Sequence, residues 1–244
     1  KYGALAWSGD VQSDFITFRR QVVSGLNMGM AGIPWWNADI GGFFNGDIHS
    51  PDFHELLMRW FAFGTFSPVM RLHGDRNPHD KPILISSGGK ECAPTGADNE
   101  VWAYGSEVEK VLRKFIDLRY RMKPYIAKAM DQAHECGTPV IRPLFYNFPA
   151  DKTAWDISDA YCFGDDLVVA PIFEAGATER TVYLPAGCAW IEANTGIRYE
   201  GGQYYVKSEQ EMKGLFTYAW EAVENTQCIA DRCNVDIEFG VTKL

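Results

Sequence analysis

The chain predicts an α/β fold over its first two thirds and an all-β region after that. Three observations carry this reading. Strand-like and helical segments alternate from residue 4 to residue 145. The acids Asp10 and Asp39 each stand just past an apolar run. From about Asp165 onward, short β-like runs are separated by Gly, Pro and Asn. The alternation fits an α/β barrel or a doubly wound sheet, and the later rhythm fits a sandwich. With 244 residues there is ample chain for a buried core.

The elements follow in order. Residues 4–7 form a short apolar run ending in a Ser-Gly-Asp turn, a strand that delivers Asp10 to its end. Residues 13–26 have helical spacing, with Phe15, Phe18, Val22 and Val23 on one face. Residues 28–36 run apolar without alternation, which predicts a parallel strand buried on both sides and ending near Asp39. Pro51 and Asp52 open a helix over 53–63, with Leu56, Leu57, Trp60 and Phe61 on its apolar side. Residues 73–103, rich in Gly, Pro and Asp, predict a long irregular loop of the kind that often carries function. Helices are predicted at 107–120 and from 123 or 124 to 134, the second closed by Gly137. A strand at 139–145 completes the alternation. The β-like runs are 167–171, 181–184, 189–192 and 204–206, and a helix-like stretch at 210–223 precedes the tail. The domains predicted are 1–164 and 165–244, the second incomplete or divergent after about 207.

Bulk properties narrow the partners. A net charge of -9 argues against nucleic acid and against an anionic membrane surface, and leaves neutral substrates open. No apolar run approaches the roughly 18 residues of a membrane span, and no leader-like segment opens the chain at Lys1. The six cysteines are scattered, so free thiols in a reducing, cytoplasmic compartment are expected. Cys228 and Cys233 stand close enough for a local bridge or half a metal site, but no Cys or His cluster completes one. Neither metal nor cofactor is called for, and a homo-oligomer stays open. Aromatics at 14 %, with eight Trp, serve either a bulky core or a sugar platform.

Three segments hold the chemistry: Trp7-Ser8-Gly9-Asp10, Trp35 through Phe43, and Arg71-Leu72-His73-Gly74. A pyranose has apolar faces and a hydroxyl rim, so its site mixes aromatics with groups that hold hydroxyls or exchange protons. Retaining glycoside cleavage needs two carboxyls about 5–5.5 Å apart, one nucleophile and one acid then base. Asp10 beside an indole suits the acid, although Gly-Asp also makes a turn or caps a helix. Asp39, between Trp36 and Gly41-Gly42-Phe43, can hold hydroxyls or cap a helix. Arg71 and His73 point the same way on an extended segment, and a lone His is often structural. No Gly-x-Ser-x-Gly elbow or Gly-x-Gly-x-x-Gly run is present. Ser86 to Lys90 only loosely mimics a phosphate loop, and His49 with His54 lack helical metal spacing.

Taken together, these segments resemble glycoside hydrolase family 31, the retaining α-glucosidase and α-xylosidase family. The resemblance runs from about Tyr2 to about Gln203. It adds Arg59-Trp60-Phe61-Ala62-Phe63-Gly64, Phe66-Ser67-Pro68-Val69-Met70, Leu118-Arg119-Tyr120-Arg121, Arg142-Pro143-Leu144, Phe163-Gly164, Leu167 through Pro171, and Asn194-Thr195-Gly196 with Tyr199 through Gly202. It implies the C-terminal portion of a (β/α)8 TIM barrel over 1–164, then a small all-β sandwich domain. By the same resemblance Asp10 is similar to the family's general acid/base, and Asp39 and His73 to its ligands for sugar hydroxyls. Trp7 and Trp36 resemble subsite walls, with Arg71 supporting His73; Phe43, by residue type alone, can wall a sugar alongside Trp36. The substrate implied is an α-linked oligosaccharide or glycoside. The family's nucleophile, a sugar-contacting Arg and the N-terminal sandwich lie upstream of the acid/base motif, and Lys1 begins after them. The family's Pro-Leu … Ile-Pro-Leu-Phe run has no counterpart after Gln203.

Overall fold

The computed structural model describes residues 4–81, 85, 88–89 and 96–200. The predicted strand at 204–206, the helix-like stretch 210–223 and Cys92, Cys228 and Cys233 lie outside the described residues.

The first strand, β1 (Ala6–Trp7), leads through a turn to α1 (Phe15–Met30). The Asp14 carboxylate caps this helix, accepting from the Thr17 amide at 2.6 Å. The helix buries Phe18, Val22 and Leu26 and runs on to Met30, beyond the predicted end at 26. The apolar run 28–36 is therefore not one strand: its first residues finish the helix, and β2 is confined to Trp36–Asn37. Packing explains the difference. A helical glycine costs roughly 1 kcal/mol against alanine. Here Gly25 lets the Trp36 ring lie where a Cβ would come within 2.7 Å, and a Cβ on Gly29 would stand 3.0 Å from Pro139. Tertiary contact overrides local propensity.

β2 pairs in parallel with β1, Ala6 opposite Trp36 and Trp7 opposite Asn37. Further along the same segments come β3 (Gly46–Asp47), α2 (Pro51–Thr65) and β4 (Arg76–Asn77), with β3 parallel to β4. Parallel bridges join Gln12 to Phe44 and Ile40 to Leu72. Three successive segments, around 6–12, 36–47 and 71–77, thus lie side by side and parallel, with α1 and α2 as their crossovers. This is the arrangement that gathers the residues after each strand at one end. The two helices meet through Phe18 and Trp60, stacked with ring centroids 4.9 Å apart.

Next come α3 (Ser106–Arg121) and α4 (Lys123–Cys136), close to prediction, with Gly137 left-handed at φ 73 as the cap. Arg119 of α3 donates to the carbonyls of Thr65, Ser67 and Pro68 at 2.8, 2.6 and 2.9 Å, closing the end of α2. Burial pulls its guanidinium down to about 10, so it stays charged at neutral pH.

The predicted strand 139–145 becomes β5 (Ile141–Pro143) followed directly by α5 (Leu144–Asn147). β5 does not extend the parallel series. It pairs antiparallel with β6 (Tyr161–Phe163), which pairs antiparallel with β7 (Leu167–Val169). β6 was not predicted, because all three of its residues are buried and no alternation marks it. The run 181–184 forms no strand. It is held by side chains instead, the Tyr183 hydroxyl donating to both Asp151 oxygens.

The chain divides into two compact units between Cys188 and Ala189. In the second, β8 (Ala189–Ile191) and β9 (Arg198–Glu200) form an antiparallel hairpin whose turn has Gly196 at φ 73. Among the described residues no helix is long and apolar enough to cross a membrane.

Candidate active site

The parallel segments bring most of the predicted site residues together. Asp39 lies two residues past β2 and is fully buried. Its Oδ1 accepts from Trp7 Nε1 of β1 at 2.9 Å and from Arg71 Nη1 at 2.5 Å. Among the described residues its Oδ2 has no hydrogen-bond partner. A buried carboxylate oxygen without a donor is costly, which makes it a natural acceptor for an incoming hydroxyl.

Burial lifts the Asp39 carboxyl above the ordinary aspartate range. The Arg71 guanidinium, the Trp7 N–H and the His73 imidazole pull it back, and the Asp10 carboxylate pushes it further up. Asp10 and His73 are therefore both near enough to act on the same buried acid. Both are themselves exposed.

Trp7 is held firmly while staying open to solvent. Its N–H is committed to Asp39, and the Arg71 guanidinium lies 5.6 Å from its ring centroid. Even so, 46 % of its surface is exposed. Phe43 is half-buried, its ring centroid 5.5 Å from that of His73. Trp36 is placed differently. It is 3 % exposed, and its ring packs on Gly25 of α1, not with Trp7, Asp39 and Arg71.

One residue of this region escaped the sequence reading. Arg76, in the stretch read as irregular loop, is fully buried. Its guanidinium donates to the carbonyls of Gly42, Ile40 and His73 at 2.8, 3.0 and 3.2 Å. Its Nε reaches Asn99 Oδ1 and the Tyr104 hydroxyl, both at 3.1 Å. Beside it opens a hollow of about 380 Å³ lined by Phe43, His73, Gly74 and Asn99 among others. An Arg between Asp75 and Asn77 reads as a solvated loop charge, and only the surrounding glycines hinted otherwise.

Parallel strands joined by crossover helices, with a carboxylate, an imidazole and an indole gathered at one end, define the class: part of an α/β barrel. The description Glycosyl hydrolases family 31 TIM-barrel domain matches residues 1–129, and Glycosyl hydrolase family 31 C-terminal domain matches residues 137–227. The chain belongs to glycosyl hydrolase family 31 and carries the C-terminal part of its barrel followed by its C-terminal domain.

Among curated relatives, an alpha-xylosidase of Saccharolobus solfataricus is 34 % identical over 203 residues, 83 % of this chain and 25 % of that protein. Alpha-glucosidase 2 of Bacillus thermoamyloliquefaciens is 33 % identical over 205 residues, 84 % of this chain and 23 % of that protein. Among solved structures, a family 31 alpha-xylosidase from a soil metagenome, complexed with xylose, superposes with a TM-score of 0.79 at 52 % identity. That match covers 83 % of this chain and 30 % of the other. The chain thus spans about a quarter of the length of the curated relatives it matches.

Proposed function

We propose that this chain supplies one side of the active site of a retaining α-glycosidase acting on α-linked glucosides or xylosides. Asp10 is the general acid/base. It protonates the leaving-group oxygen, then deprotonates the water that releases the sugar from the enzyme's nucleophile. Asp39 and His73 hold hydroxyls of the sugar being cleaved, and Arg71, expected to support His73, pairs with Asp39 and orients it instead. Trp7 and Phe43 offer apolar surfaces to the pyranose, while Trp36 packs the strand against α1.

The observation that carries this reading is the half-satisfied, fully buried Asp39, with Asp10 and His73 both acting on its charge. The names of the relatives, alpha-xylosidase and alpha-glucosidase, point to the same chemistry. The test is Asp10→Ala in the complete protein. Turnover of natural α-glycosides should fall by about 10²–10⁴-fold, the range of a general acid/base, while aryl glycosides with good leaving groups lose far less at the glycosylation step. Unchanged hydrolysis of both kinds of substrate would remove Asp10 from the role.

A second reading concerns the 244-residue chain alone, as a barrel half that needs further polypeptide. It is favoured by β1, which pairs only with β2 among the described residues and leaves Leu5 and Trp7 each 46 % exposed. The isolated chain should not turn over a nitrophenyl α-glycoside. Robust hydrolysis by the purified chain sinks this second reading.

A further inference from the structure

Arg76 is an expensive residue for a fold to keep. It is fully buried, and among the described residues none of the five partners of its side chain is a carboxylate. Its hydrogen bonds go to carbonyl, amide and hydroxyl dipoles, and the Phe53 ring lies 4.9 Å from the guanidinium. A buried ion without a counterion costs several kcal/mol, and an apolar residue of similar size often stabilises a core at least as well.

The backbone has also been cleared for it. A Cβ on Gly74 would stand 2.4 Å from Nη1, one on Gly46 2.9 Å from the same atom, and one on Gly41 3.0 Å from Nη2. Gly41 and Gly74 have positive φ, at 87 and 153, so a side chain at either would be strained as well as crowded.

The three carbonyls it holds share one property. Ile40 directly follows Asp39, Gly42 directly precedes Phe43, and the third belongs to His73 itself. These are the proposed sugar-facing residues of two different segments. Through Nε the same fork reaches Asn99 and Tyr104, and the Arg76 carbonyl accepts from the Ala97 amide at 2.7 Å. The stretch 96–104 is thereby tied to the same point. The planar fork makes five bonds from one rigid group, which an ammonium cannot do.

We propose that Arg76 is the positioning residue of the sugar site, setting the mutual placement of Asp39, Phe43 and His73 from beneath without touching substrate. The inference rests on the glycosidase reading above. It predicts that catalysis depends on the fork itself and not merely on a filled volume or a positive charge.

The experiment compares wild type, Arg76→Lys and Tyr104→Phe in the complete protein, each shown to be folded by near-UV circular dichroism at the assay temperature. Readouts are kcat and KM on an α-xyloside and an α-glucoside, and quenching of tryptophan fluorescence by free xylose and glucose. In folded Arg76→Lys, kcat/KM should fall about 100-fold, the scale of an ångström-sized misplacement. Most of that loss should lie in kcat, and the pH limbs of the profile should stay in place. Tyr104→Phe keeps the ring and removes one acceptor, so a fall of about 3- to 10-fold is expected even if Arg76→Lys does not fold. Folded variants with wild-type kcat and sugar affinity, differing only in melting temperature, would overturn the positioning role while leaving the glycosidase reading intact. A wild-type protein that neither hydrolyses nor binds either sugar would overturn both.

Discussion

Asp39 and Asp151 are two aspartates in the same compact unit, treated in opposite ways. The Asp151 carboxylate is saturated. The Tyr183 hydroxyl reaches both oxygens at 2.9 and 2.7 Å, and the amides of Thr153, Ala154 and Ala186 add contacts between 3.0 and 3.4 Å. Partial burial alone would push its pKa up, but the Tyr183 hydroxyl and these amides together outweigh it and hold the group below the usual carboxylate range. Asp39 is more deeply buried yet keeps one oxygen without a donor, and its carboxyl lies above that range. A satisfied carboxylate works as a clasp, here between the turn at 151–154 and the stretch 183–186. On the proposed reading, the unsatisfied one is a receptor, and the contrast separates a group that holds the fold from one held ready for a ligand.

The largest effect expected from this comparison is on activity at Asp39. Asp39→Asn keeps shape and the acceptor for Trp7 but removes the charge that faces Arg71 and the open acceptor. In the complete protein kcat/KM should drop about 10²–10³-fold. Stability should stay within about 1 kcal/mol of wild type, because a poorly compensated buried charge has been removed along with its partner's benefit. Steady-state kinetics and chemical denaturation on the same preparation decide this. A variant that loses stability but keeps its rate would place Asp39 with the clasps.

Asp151→Asn should show the reverse. Stability should fall by about 1–2 kcal/mol, the worth of hydrogen bonds to a charged group after allowance for partial exposure. Catalysis per folded molecule should be unchanged. A smaller effect sharpens the point through pH. Because the folded Asp151 is more acidic than in the unfolded chain, its contribution is present above the ordinary value of 3.8 and is lost as pH falls through the lower folded value. The stability gap between wild type and Asp151→Asn should therefore be constant near neutrality and shrink below about pH 4. A gap that persists under acid conditions would mean that Asn, not the lost charge, disturbs the turn.

Much of this arrangement was legible in the chain because it rests on local rules. The helical spacing of Phe18 and Val22, the Pro51 opening of α2 and Gly137 as a left-handed cap are short-range devices, and all three stand as read. The motifs around Asp10, Asp39 and His73 pointed to a sugar site, and the structure gathers them at neighbouring strand ends. The errors lie where contact from distant residues decides. Gly29 fell in the run read as a strand but sits within a helix, where Pro139 packs against it. Trp36 looks like Trp7 on paper, and only burial separates core from platform.

What the residues determined alone was the run of crossover helices and the acids at the ends of apolar runs, both functions of spacing along the chain, while the resemblance of the ordered motifs pointed to a sugar-cleaving family. What folding alone decided was which charges would be starved and which fed: Asp39 left one donor short among the described residues, Asp151 given five contacts, Arg76 driven inward beneath two strand ends. The reason is physical. The protonation and purpose of a polar group depend on the dielectric and partners around it, and those are assembled from segments dozens of positions apart.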